Sequence, residues 1–145
     1  MINFKKLKTC FLLIFALINI LYIAPCYSLV SREDLFKNAL DLSSRGDFNI
    51  ALQEWNNYLE LYPDDAAGLS NRGNVKLVIG DAEGSINDQN KAIRLSPNEI
   101  DPYINRGVAE ESLGLWSQAK KDYTFVISKD AENVSALYNF ANVEG

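Results

Sequence analysis

From Val30 onward, apolar residues recur every three to four positions in stretches of roughly a dozen or slightly more, closed in turn by a glycine or a proline until Ala131 stands where the third unit's closing proline would be. Gly46, Gly80 and Gly114 are evenly spaced along the chain, and Pro63 and Pro97 keep the same interval. Aligned on these markers, the chain divides into units of about 30–63, 64–97 and 98–131, with a partial unit at 132–145. Each full unit holds two helix-period stretches around a glycine, the pattern of an antiparallel helix pair. The pattern predicts an all-α solenoid of three helix-turn-helix units plus one additional C-terminal helix.

Each marker has a physical reason. Gly46, Gly80 and Gly114 are expected to end the first helix of each unit in a left-handed conformation, which glycine adopts at little cost. Pro63 and Pro97 stop the second helix because they lack an amide proton. Gly73 and Gly107 lie inside first helices, where glycine costs about 1 kcal/mol against alanine, so a neighbouring helix is expected to approach closely there. Ala39 and Ala141 hold the same slot in the first and last units and are expected to serve the same purpose.

In the second helices, an alanine is followed one helical turn later by an aromatic: Ala51 with Trp55, and Ala119 with Tyr123. With Leu35, Ala39, Leu69, Gly73, Tyr103, Gly107, Leu137 and Ala141 in the first helices, these residues resemble the tetratricopeptide repeat (TPR) over positions 30 to 145. The middle unit departs from the repeat, with Ser85 and Gln89 in place of the alanine and the aromatic. Its second helix is expected to be the least well packed, buried through Ile86, Ala92, Ile93 and Leu95. Lys76, Glu110 and Glu144 stand where the repeat has a first-helix aromatic.

The triplet Asn-Arg-Gly occurs at Asn71 and again at Asn105. The resemblance places the residue before the arginine on an inner, concave face on which TPR proteins bind peptides. It implies a groove lined by Phe36, Lys37, Leu40, Asn71, Asn74, Asn105, Val108, Tyr138 and Asn139, with Leu77 and Asn142 on the same face. An asparagine amide both donates and accepts, so it can bond the backbone of an extended segment without reading its side chains. Asp88 follows Arg72 at the same distance along the chain as Asp122 follows Arg106, so an ion pair across each helix pair is expected. The carboxylate clamp of chaperone-binding TPR proteins would need Lys and Asn where Phe36 and Leu40 stand. The resemblance therefore implies no clamp of that kind.

Composition narrows the chemistry. Three lysines, an apolar run from Cys10 to Ala24 and small residues ending at Ser28 have the order of a secretory signal peptide over 1–28, with a retained membrane anchor as the alternative. Cleavage there would leave a domain of 29–145 without cysteine and with 11 basic residues against 19 acidic ones, a formal charge of −8. That balance disfavours nucleic acid as a partner. The chain has no histidine, which removes imidazole bases and the common zinc sites, and its glycines form no phosphate loop. No cofactor, metal or catalytic residue is expected.

The functional expectation is a non-catalytic module that binds a protein or peptide segment in its groove, as an assembly factor or scaffold for a membrane complex. The alternative is a structural half-module that self-associates, or completes its fold with another chain, through residues 134–145, where Val134, Leu137, Tyr138, Phe140 and Val143 are apolar. The triplet also resembles exported TPR proteins of cyanobacteria and plastids, which implies the periplasm or the thylakoid lumen.

Overall fold

The computed structural model describes residues 30–144. The signal-peptide reading of 1–28 lies outside them. Among the described residues, seven helices follow one another: α1 (Arg32–Arg45), α2 (Phe48–Leu61), α3 (Ala66–Val78), α4 (Ala82–Leu95), α5 (Asp101–Ser112), α6 (Trp116–Lys129) and α7 (Val134–Glu144). The described residues contain no strand. None of these helices is long and apolar enough to cross a membrane.

Local chemistry sets the helix ends. Asp65 Oδ1 accepts the Gly68 amide at 2.7 Å, Asp81 Oδ1 the Gly84 amide at 2.9 Å and Asn133 Oδ1 the Ala136 amide at 3.0 Å, so α3, α4 and α7 each start on a capping side chain. Between paired helices, Gly46, Gly80 and Gly114 have φ of 85°, 92° and 73°, a region that a Cβ disfavours.

Each first helix packs on the second helix of its unit, and each second helix on the next first helix. In addition α3 touches α5, and α5 touches α7. First helices therefore line the inner side of the stack. The core of the first unit is aromatic. Trp55 and Tyr58 are fully buried, and Phe36 meets their rings edge-on at 5.0 Å and 5.5 Å.

The repeat slot of Trp55 holds Gln89 in the middle unit and Tyr123 in the third, and all three side chains are fully buried. In the middle unit Ala92 is buried as expected and Ile86 and Ile93 are half-buried, so the correction concerns Leu95 and the polar residues. Its second helix buries Ser85, Asp88, Gln89 and Ala92, while Leu95 is exposed. The slot faces inward whatever residue occupies it, so polar atoms enter the core. Ser85 Oγ and Gln89 Oε1 have no hydrogen-bond partner there, while Gln89 Nε2 donates to the Ser70 carbonyl at 3.0 Å.

Gly73 and Gly107 face those inward slots. A Cβ on Gly73 would stand 2.6 Å from Gln89 Nε2, and one on Gly107 would stand 2.5 Å from Tyr123 Cε1. Ala39 is buried in the equivalent slot, but Ala141 is exposed, against expectation. The slot looks toward the second helix of its own unit, and among the described residues none follows α7.

Gly107→Ala is expected to destabilise the chain by about 1–2 kcal/mol, because a buried ring with its hydroxyl tied to Glu111 cannot retreat, and overpacking outweighs the gain of about 1 kcal/mol in helix propensity. Urea denaturation reads the change; an unchanged or raised midpoint would contradict the close-contact account.

Candidate peptide-binding groove

A cavity of about 520 Å³ opens between α3 and α5, lined by Ala66, Ala67, Ser70, Asn71, Asn74, Asp101, Pro102 and Asn105, with Ser96 and Glu99 from the connection that precedes α5. Of the expected groove residues, it brings together Asn71, Asn74 and Asn105. Lys37, Leu40, Val108, Tyr138 and Asn139 do not line it. Lys37 and Leu40 are exposed on α1, Tyr138 is exposed on α7, and Val108 and Asn139 are half-buried. Phe36 does not line it either: it is half-buried, with its ring packed edge-on against Trp55 and Tyr58 of the first unit. A large apolar side chain at the inner edge of a helix pair gains more from Trp55 and Tyr58 than from solvent.

The amides are positioned from within. Asn71 Nδ2 donates to the Ala67 carbonyl one turn earlier at 2.9 Å, and Asn105 Nδ2 donates across the groove to Ser70 Oγ at 3.1 Å. Asn74 Oδ1 lies 3.5 Å from Gln89 Nε2. Asn105 thus also ties α5 to α3, a bond worth about 1 kcal/mol. Sequence patterning passed over Ser70, Ser96, Glu99, Asp101 and Pro102. One signal was present: Glu99 stands in the repeat slot of the capping residues Asp65 and Asn133. α5 instead starts behind Ile100, with no side-chain cap.

The arginines of the triplet point away from the cavity, into the seam between helices. Arg72 holds Asp88 with two bonds of 2.8 Å and 2.7 Å, and Arg106 holds Asp122 with two of 2.7 Å and 2.6 Å. The expected pairing is therefore present, but it is not an exposed one: the side chains of Arg72 and Asp88 are 20% and 7% accessible. Each guanidinium also reaches back to the preceding unit, Arg72 Nη1 to Asn56 Oδ1 at 3.1 Å and Arg106 Nη1 to Asn90 Oδ1 at 2.6 Å. Asn56 and Asn90 stand one repeat apart and precede their arginines by equal intervals, a spacing legible in the sequence.

The slots beside the two bridges differ in charge. Lys76 Nζ adds a second cation to Asp88 at 2.9 Å, whereas its counterpart Glu110 adds an acid beside Asp122, with Arg106 Nε 3.9 Å from Glu110 Oε1. Glu110 is buried, and its Oε2 has no hydrogen-bond partner. Burial, then the charge of Asp122, pushes its carboxyl up to about 7, against smaller opposing pulls from Arg106 and Lys121. The hydrogen bond to Asp122 holds Arg106 more firmly protonated than usual. Burial, then the bond to Glu111, raises the Tyr123 phenol. The described residues hold no group of three side chains able to bind a metal.

An acid whose folded-state pKa is raised binds more protons folded than unfolded between pH 4.5 and 7, so the chain loses stability as pH rises through that window. Glu110→Gln is expected to raise the melting temperature at pH 8, by an amount that corresponds to on the order of 2 kcal/mol, and to have little effect at pH 4.5. Thermal melts at the two values check this. A benefit that is the same at both would show that Glu110 does not titrate in the folded chain.

No protein-family model matches the chain. It is 30% identical to a FAM10 family protein of Arabidopsis thaliana over 100 residues, which cover 68% of this chain and 23% of that protein. It is 27% identical to tetratricopeptide repeat protein 36 of Danio rerio over 95 residues, covering 63% of this chain and 51% of that protein. The matched regions are thus under a quarter and about half of these relatives' lengths. Among solved structures, the first TPR domain of Spaghetti (RPAP3) bound to the HSP90 peptide SRMEEVD superposes with a TM-score of 0.75 at 20% identity, covering 78% of this chain and 90% of that one. Helix pairing, turn geometry and this superposition together establish the fold as a TPR solenoid.

Proposed function

We propose that the chain is a non-catalytic interaction module that holds a polypeptide segment in the cavity between α3 and α5. The observation that carries this reading is the convergence of Asn71, Asn74 and Asn105 on one open cavity of about 520 Å³. Side-chain amides can bond both N–H and C=O groups of an extended backbone, so they hold a segment with little dependence on its side chains. A likeness of fold to a domain bound to a peptide supports the same reading. Further proposals are that the module serves as a scaffold or assembly factor for a membrane complex, and that it does so in an exported compartment. They rest on the resemblance of the triplet and on the pattern of residues 1–28.

A second reading is carried by α7. Val134 is 78% and Tyr138 67% accessible, and Leu137 is also exposed, which leaves an apolar face suited to another copy or another chain. Sedimentation equilibrium of the full chain tests self-association: a dimer lost on Leu137→Ser supports it, and a monomer at high concentration leaves this face only to a different chain.

The groove reading is tested by selecting peptides from a random library on the full chain and measuring their affinity for Asn71→Ala. Asn71 bonds only its own helix, so melting should hold while affinity falls about tenfold, or about 1.4 kcal/mol. Undiminished affinity for every selected peptide would place binding elsewhere.

A further inference from the structure

The charge inside the groove follows from where the neighbouring cations go. Arg72, Lys76 and Arg106 are the only cations of α3 and α5, and all three are turned onto carboxylates of α4 and α6. No lysine or arginine lines the cavity. Two carboxylates do, Glu99 and Asp101, and both are exposed and form no ion pair among the described residues. Glu99 is free because it stands in a capping slot without capping.

We infer that the segment this groove takes is cationic: an extended stretch with lysine or arginine side chains reaching Glu99 and Asp101 while Asn71, Asn74 and Asn105 bond its backbone. This rests on the groove reading and adds the chemistry of the occupant to it. Charge complementarity carries the choice. An acidic segment such as SRMEEVD, bound by the structurally similar domain, would meet two carboxylates without an ion-pair partner here and no cation. The chain's formal charge of −5 adds a long-range attraction in the same sense.

Fluorescence anisotropy of the full chain with three labelled peptides tests the inference. All share one alanine-glutamine backbone, and the same three positions carry lysine, glutamine or glutamate. The lysine peptide should bind at least about tenfold more tightly than the glutamine peptide, with the glutamate peptide weakest, and the preference should shrink in about 0.5 M salt. Glu99→Gln with Asp101→Asn should bring the lysine and glutamine peptides close together. Glu83→Gln with Glu132→Gln, at acids outside the cavity, should leave the preference in place. Circular dichroism confirms that each variant is folded. A lysine peptide that does not bind, one that binds no better than glutamine, or a preference that survives the Glu99 and Asp101 changes overturns the inference. If the two peptides bind equally and both weaken on Asn71→Ala, only the charge assignment falls. If neither weakens, the groove reading falls with it.

Discussion

Two guanidinium groups tie this solenoid together. Each arginine links three consecutive helices: Arg72, seated on α3, is held by Asn56 of α2 and Asp88 of α4, and Arg106, seated on α5, by Asn90 of α4 and Asp122 of α6. The planar fork of arginine suits this role, because two donors engage one carboxylate while a third remains for an amide on another helix. Asp88 and Asp122 are each 7% accessible, so removing either arginine strips a nearly buried carboxylate of its bidentate partner and costs more than losing an exposed pair. The bridge thus fixes both the pairing within a unit and the placement of one unit on the next.

The same bridges shape the groove. With the arginines and Lys76 turned into the seams, the face between α3 and α5 keeps amides and carboxylates. Where the seam lacks a matching charge, burial and a like charge disfavour ionisation, as at Glu110, a buried acid beside Asp122 in the slot that Lys76 fills one unit earlier. The core shows a related compromise at Gln89, whose amide serves the Ser70 carbonyl and whose oxygen is left without a partner.

Much of the architecture is legible in the sequence because the repeat restates its own geometry. The even spacing of Gly46, Gly80 and Gly114 locates the turns, and the constant offset from arginine to aspartate locates the bridges. Individual side chains were harder to place. Phe36, Ser70, Ile104 and Tyr138 share one repeat slot, yet Phe36 joins the aromatic core, Ser70 is buried under Asn105 and Tyr138 is exposed. What differs is the neighbour across the helix, which a single helical register does not specify. Similarly, patterning treats Ser85 and Gln89 as poor core residues, although the close approach at Gly73 forces that slot inward. The groove carboxylate at Glu99 was concealed for the opposite reason: it sits in a slot whose usual work is capping, and only the local start of α5 shows that it does none.

The central claim is a division of labour, with arginines in the seams and amides with carboxylates in the groove. The crystal structure of the full chain with a library-selected peptide tests it most directly. The account predicts peptide density between α3 and α5 against Asn71, Asn74 and Asn105, with Arg72 and Arg106 still on Asp88 and Asp122. A peptide bound on another face, or an arginine swung out of its seam to meet the peptide, would contradict it.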